Sequence, residues 1–222
     1  MPGYTFHFGP VLASWPGLLS GVKITLLLSV TGMLGGLALG MVAGVLRLSR
    51  SRVVSAVAGA YIEFLRDTPM LVQLVWIYYC MPIILGVNLP ALESAILGLS
   101  VAESANIAEI IRAGILAVPH GQVEAAQALG LRPFVRMRHV VLPQALRIMI
   151  PPLLNTYISL LKATALVAII AVPDLMFVSQ RLASETFRPI EVLTGAAVIY
   201  FVITFPIVLC VRRVERRLRI RR

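Results

Sequence analysis

Charge is scarce in this chain. Only 14% of its 222 residues are charged, while 59% are hydrophobic. A soluble domain carries roughly 25% charged residues, so this chain lacks the polar surface to dissolve in water. Acids are scarcer still. Ten Asp and Glu stand against 20 Lys and Arg, a formal net charge of +10. The basic residues sit between apolar runs and at the C-terminus, where membrane proteins keep their cytoplasmic anchors. No RNA-binding aromatic motif accompanies them, so a nucleic-acid partner is not expected. Cysteine is nearly absent. Cys80 and Cys210 both lie in apolar runs, which reads as small buried hydrophobes and excludes a disulfide framework or a cysteine metal site. The first 21 residues lack the basic segment that opens a signal peptide, so the first apolar run is expected to direct insertion itself. There is no G-x-x-x-x-G-K-[ST] loop, so the chain cannot cradle ATP phosphates.

What is present is apolar length. A membrane helix needs about 20 mostly apolar residues. Ile24 to Leu46 meets this without a charge. Its Gly36, Gly40 and Gly44 recur every four residues and share one helix face, a pattern that lets two membrane helices approach closely. The stretch Val53 to Val87 is too long for one crossing, since at ~1.5 Å per residue it reaches roughly 50 Å against a ~30 Å hydrocarbon core. Arg66-Asp67-Thr68-Pro69 offers a break there, with Asp67 or Thr68 as N-cap and Pro69 in the first turn. Val53 to Leu65 then becomes a separate amphipathic helix, or else the first part of one long tilted helix. The chain is therefore expected to be an all-α polytopic membrane protein and a single transmembrane domain. It has about five spans, near residues 22–46, 67–86, 91–117, 143–172 and 192–211.

Arginines orient these spans. The loop after span one carries Arg47, Arg50 and Arg52; the segment after span three carries Arg132, Arg136 and Arg138. The tail adds Arg212, Arg213, Arg216, Arg217, Arg219, Arg221 and Arg222. The segment before Lys23 and the loop near Gly86 to Leu92 have none. The loop after span four balances Arg181 and Arg188 with Asp174, Glu185 and Glu191. The positive-inside rule then sets the N-terminus outside and the C-terminus in the cytoplasm. Tyr4, Phe6, Phe8 and Trp15 fit an outer aromatic belt.

Between spans three and four lies a polar segment, about 118–142. Gln122 to Leu129 favours helix, Gly130 can end it in a left-handed turn, and Pro133 can open a second helix that Pro143 limits. Glu124-Ala125-Ala126, then Gly130, then Leu142-Pro143, set between two membrane spans, closely resemble the EAA loop of the permease subunits of bacterial ATP-binding-cassette (ABC) importers. The resemblance extends further. Arg66-Asp67-Thr68-Pro69-Met70-Leu71-Val72-Gln73 resembles the R-x-T-P-x-x-V-Q stretch of the polar amino acid uptake family. Ala108-Glu109-Ile110-Ile111-Arg112-Ala113-Gly114 resembles its A-E-I-x-R-x-G stretch. Pro143-Gln144-Ala145-Leu146-Arg147 and Leu160-Leu161-Lys162 continue it, although Ala163-Thr164-Ala165 follow where the family often has a polar residue and then Thr-Ser.

The resemblance implies a type I ABC importer permease fold that moves a polar amino acid by alternating access. It implies four kinds of neighbour: a second permease chain, identical or homologous; two ATP-binding subunits, which hold ATP and Mg; an extracytoplasmic substrate-binding protein; and membrane lipid. Glu124, Ala125, Ala126, Gly130, Leu142 and Pro143 would couple to the ATPase.

Charges inside hydrocarbon are costly and should meet a partner or a cavity. Counting ~1.5 Å per residue puts Glu103 roughly 18 Å and Lys162 roughly 15 Å from the outer helix ends. The two are thus expected either to pair or to line a substrate cavity. Asn155, Thr156 and Ser159 are cavity candidates at helical spacing, or else interhelix contacts. Glu109 and Arg112 can pair on one helix face, and with Arg66, Asp67 and Pro69 they are candidates for structural or gate roles. Other readings are a permease of the same class for another small solute such as methionine, a secondary transporter, and a non-transporting membrane scaffold. No inverted repeat supports the second. The topology has a direct test. A reporter fused after Arg222 should read cytoplasmic and one near Gly9 external; two cytoplasmic signals would refute five spans.

Overall fold

The computed structural model describes residues 5–218. Expectations resting on Tyr4, Arg219, Arg221 and Arg222 lie outside them. The described residues form helices and connecting turns, with no strand among them. Hydrocarbon supplies no hydrogen bonds, so a spanning backbone must satisfy its own N–H and C=O groups, and the helix does this locally. In chain order the α-helices are α1 (Gly9–Ala13), α2 (Trp15–Arg47), α3 (Arg52–Asp67), α4 (Met70–Val75), α5 (Met81–Leu85), α6 (Ala91–Leu116), α7 (His120–Ala128), α8 (Pro133–Arg136), α9 (Leu142–Ala163), α10 (Leu175–Thr186) and α11 (Pro189–Leu218). A 3₁₀ turn, Thr164–Ile170, extends α9.

Among the described residues, four helical stretches are long and apolar enough to cross a membrane: Trp15–Arg47, Ala91–Leu116, Pro133–Ile170 and Pro189–Arg216. A fifth is present if Arg52–Asp67 and Met70–Leu85, bent by 102°, form one broken crossing. The bend has a local cause. A residue before proline is pushed out of the α region, and Thr68, ahead of Pro69, is extended at φ −93° and ψ 127°. Its hydroxyl donates back to the Phe64 carbonyl at 2.7 Å. Thr68 therefore closes α3, Asp67 is the last residue of that helix, and the next helix starts at Met70 rather than near Asp67.

The prolines correct a second expectation. Pro143 does not limit the helix that Pro133 opens; the helical backbone runs through it from Pro133 to Ile170. Proline lacks an N–H, and its ring meets the carbonyl four residues back. One widened turn solves both problems. Over Met137–Val141 the helix relaxes into π geometry, and the Leu142 N–H reaches the Met137 carbonyl five residues back. The same device stands ahead of Pro82. There Trp76–Cys80 is a π turn, and the Met81 N–H reaches the Trp76 carbonyl. In each case proline is the second residue after the wide turn.

Two further corrections concern span ends. The first long helix starts at Trp15, so Lys23 lies within it. The stretch after the fourth span is not an open loop but contains α10.

The chain divides into two compact units. The first comprises Met1–Gly32, Met70–Leu99 and Ile158–Val208. Its apolar cluster joins Val11, Leu18, Leu175, Leu182, Ala183 and Val192. The second comprises Met33–Pro69, Ser100–Tyr157 and Leu209–Arg222. Within it the glycine stripe of α2 lies directly on α6. A Cβ on Gly40 would stand 2.7 Å from the Ser104 carbonyl oxygen, and one on Gly44 2.8 Å from that of Ala108. A backbone carbonyl cannot swing aside as a side chain can, so any side chain at Gly40 or Gly44 must push the helices apart. Tyr61 on α3 joins the same face, its hydroxyl 2.7 Å from the Ser104 hydroxyl.

Gly40→Ala gains up to ~1 kcal/mol of helix propensity but overpacks a rigid contact, which typically costs about 1–3 kcal/mol. Unfolding of the purified chain in detergent should show net destabilisation. Gly17→Ala, on the same helix with its nearest neighbour 3.9 Å away, should be neutral or stabilising. Equal effects would refute the close contact.

Candidate functional site

The segment between α6 and α9 is built from the bottom by its glycine and proline. At the end of α7, the Gly130 N–H donates to the Gln127 carbonyl (2.9 Å) and the Leu131 N–H to the Ala126 carbonyl (3.1 Å). This is the paired closure of a Schellman cap, and it requires the left-handed backbone that Gly130 adopts at φ +71°. Pro133 then stands in the first turn of α8, where its missing N–H costs nothing.

One edge of α7 is buried. Val123 packs on a cluster of Ile107, Ile111, Val118, Val141, Ala145 and Met149, drawn from α6, the wide turn and α9. Ala126 is 4% exposed. Small size matters there, because a larger residue would lift the helix off its seat. The opposite edge is open. Glu124, Ala125, Ala128 and Gly130 are exposed, Leu129 and Phe134 are 79% and 72% exposed, and Leu142 and Pro143 also face outward. Val123 and Ala126 thus make the contacts of α7, while Ala128 is exposed. The segment is tied to both neighbouring long helices, while its exposed residues include apolar groups, one carboxylate, and the polar Gln122, Gln127, Arg132 and Arg138.

The other candidates occupy varied surroundings. Arg112 grips Glu109 with two hydrogen bonds, Nε to Oε2 at 2.9 Å and a shorter one from Nη2 to Oε1, an intrahelical pair half exposed. Arg66, Asp67 and Pro69 are exposed at the bend. Glu103 is 4% exposed, and its carboxylate accepts from the Asn106 amide at 3.2 Å. Lys162 is exposed, and it lines a cavity of about 320 Å³ in the first unit with Ala165, Met176, Leu193, Ala196, Ala197 and Tyr200. Glu103 and Lys162 belong to different units. Asn155 donates to the Glu215 carboxylate at 3.0 Å, so it ties α9 to α11. Thr156 is half-buried and Ser159 exposed on α9.

Sequence reasoning missed Asp174, which counted only as a loop charge. Its side chain caps α10, accepting from the Phe177 N–H at 2.8 Å and from the Tyr200 hydroxyl at 3.2 Å. Burial pushes its carboxyl above the usual range, against these bonds, which pull it down. Thr25 accepts from the adjacent Leu175 N–H. The signal was an aspartate immediately ahead of an amphipathic run. Glu191 was likewise read as a loop charge. It is fully buried, with Arg188 at 3.0 Å and the His7 N–H at 3.1 Å.

Comparison with known proteins follows the same outline. The family described as binding-protein-dependent transport system inner membrane component matches residues 36–220. The chain is 37% identical over 216 residues to the glutamine transport system permease protein GlnP of Escherichia coli (strain K12), covering 97% of this chain and 99% of that protein. It is 38% identical over 205 residues to the L-cystine transport system permease protein TcyB of Bacillus subtilis (strain 168), covering 92% and 87%. Its structure superposes on that of an amino acid ABC transporter with histidines at a TM-score of 0.91 and 37% identity, over 96% of this chain and 100% of that one. An inward-facing MetNI methionine ABC transporter gives 0.80 at 23% identity, over 93% and 98%, a likeness of fold alone.

The cap at Gly130 isolates one physical effect. A Cβ there would meet nothing within 4 Å, so a side chain acts only through the backbone. Left-handed geometry costs most residues roughly 1–2 kcal/mol, and asparagine less. Amide exchange at Leu129 to Leu131 should therefore accelerate about tenfold in Gly130→Val and less in Gly130→Asn. Identical exchange in the three proteins would contradict the assigned cap.

Proposed function

Because the chain belongs to the family of binding-protein-dependent transport system inner membrane components, we propose that it carries a polar amino acid or close derivative across the membrane. It is a multi-pass inner membrane protein, the permease of an ABC importer. The family works with ATPase and binding-protein partners. The substrate class rests on relatives named for glutamine and cystine, at 37% and 38% identity over nearly whole chains. The methionine alternative has only a likeness of fold behind it.

The observation that carries the mechanism is the docked α7 with its open edge. In this reading two permease chains pair, identical or homologous. Two ATPase subunits seat beneath them, and a binding protein delivers ligand from outside. ATP and Mg belong to the ATPase subunits, since this chain has no phosphate-binding loop. Glu124, Ala125, Leu129 and Phe134 meet the ATPase, while Val123 and Ala126 pass its movement to α6 and α9. The C-terminus and α7 lie on the cytoplasmic side. Alternating access then follows from tilting of the long helices. The cavity beside Lys162 is the candidate place for a substrate carboxylate, because it sets one cation against mostly apolar walls and so favours an anion.

Co-purification and uptake test this together. The chain should copurify with an ATPase subunit. In liposomes holding both and supplied with the binding protein, radiolabelled polar amino acids should enter only with ATP and Mg on the ATPase side. Gly130→Val should assemble and insert but lose most uptake. Uptake driven by an ion gradient without the ATPase would refute the reading, and competition by methionine alone would favour the alternative substrate.

A further inference from the structure

The end of α2 and the start of α3 enclose a groove of about 570 Å³, lined by Leu39, Val42, Leu46, Val53, Val57 and Tyr61 among others. It runs along roughly 10–12 Å of each helix. Its walls are almost wholly apolar, and the Tyr61 hydroxyl is already engaged with Ser104. Nothing in it would hold a polar solute. Val42, Val53 and Val57 remain 59%, 73% and 66% exposed, so the groove is open to its surroundings.

The turn beside this groove is strongly basic. From Ile24 to Ile62 the chain has no acidic residue, yet it places Arg47, Arg50 and Arg52 within six positions. Arg47 is committed to structure. Its guanidinium donates to the Ser55 hydroxyl at 2.8 Å and carbonyl at 3.3 Å, and it lies over Gly59. Arg50 and Arg52 are exposed. Between them Ser51 opens the 16-residue α3 without a side-chain cap, so the first N–H groups of that helix are left for an outside acceptor. Uncapped helix N-termini attract anions.

An apolar groove, two free guanidiniums and an uncapped N-terminus at one helix turn describe an amphiphile with an anionic head. We propose that this is a binding site for an anionic phospholipid. One acyl chain lies in the groove, and the phosphate rests on Arg50, Arg52 and the first N–H groups of α3. A zwitterionic lipid fills the groove equally well but gains less from the arginines, because its own ammonium offsets the phosphate. The site is independent of what the permease carries.

The test is native mass spectrometry of the permease with its ATPase, released from nanodiscs of mixed phosphatidylglycerol and phosphatidylcholine. Wild type should retain phosphatidylglycerol preferentially. Each surface arginine contributes about fivefold to anionic-lipid attraction, so Arg50→Gln with Arg52→Gln should lower that preference roughly thirtyfold. Val42→Trp, which fills the groove, should release both lipids. An unchanged preference in the double arginine variant, or undiminished lipid in Val42→Trp, would overturn the proposal. So would a disulfide between two copies of Val57→Cys in a Cys80→Ser, Cys210→Ser chain, because it would show the groove covered by a second copy.

Discussion

A backbone in hydrocarbon has no solvent to bond with, and each unsatisfied N–H or C=O there costs several kcal/mol. This constraint shapes the molecule more than any side-chain contact does. It makes the described chain helical throughout its long elements, and it shapes how two of the prolines are tolerated. Ahead of both Pro82 and Pro143 the helix widens by one residue, so that the turn keeps its bonds while the ring clears the preceding carbonyls. The Gln144 amide adds a bond to the Val140 carbonyl at 2.9 Å, in the same disturbed stretch. Where the chain does break, at Thr68-Pro69, the freed Phe64 carbonyl accepts from the Thr68 hydroxyl.

With the backbone satisfied, packing has to come from shape, because apolar side chains gain little by leaving lipid for one another. The glycine stripe of α2 answers this by letting its backbone rest on the carbonyls of α6. Ala126 and Val123 apply the same logic to α7. A short helix of nine residues is not stable alone in water. Here its small edge is fixed on side chains of α6 and α9, and its end is sealed by a Schellman cap. One edge of α7 is thus held by the long helices while the other is exposed, which is what the proposed role of a lever between an ATPase and the membrane domain requires. A loosely attached loop could bind an ATPase but could not transmit its motion.

Much of this was legible in the sequence because the signals were local and redundant. Apolar length located the long helices, the four-residue glycine repeat located the close face of α2, and Gly130 and Pro133 marked the two ends of one turn. The EAA pattern and its flanking stretches identified the family. What was illegible depended on distant groups or on subtle helix geometry. Pro143 looks like a stop until the π turn ahead of it is seen, since nothing in residues 137–141 announces a widened turn. Asp174 and Glu191 each have a partner three residues away, Phe177 and Arg188, but their further partners, Tyr200 and the backbone N–H of His7, are 26 and 184 positions away, which is why their burial was illegible. Asn155 could be read as a cavity residue or as an interhelix contact, and its hydrogen bond to Glu215, 60 positions on, matches the second. The depth count for Glu103 and Lys162 could match their levels but could not say what each side chain faces.

In the proposed mechanism the exposed edge of α7 is the seat of the ATPase while its buried edge is part of the membrane domain. Thiol labelling reads both edges at once. In a chain with Cys80→Ser and Cys210→Ser, Ala125→Cys and Leu129→Cys should react rapidly with a water-soluble maleimide in the permease alone, and at least tenfold more slowly once the ATPase subunit is bound. Ala126→Cys should react slowly in both states. Equal labelling of Ala125→Cys and Leu129→Cys with and without the ATPase, in a complex verified to be intact, would contradict the account.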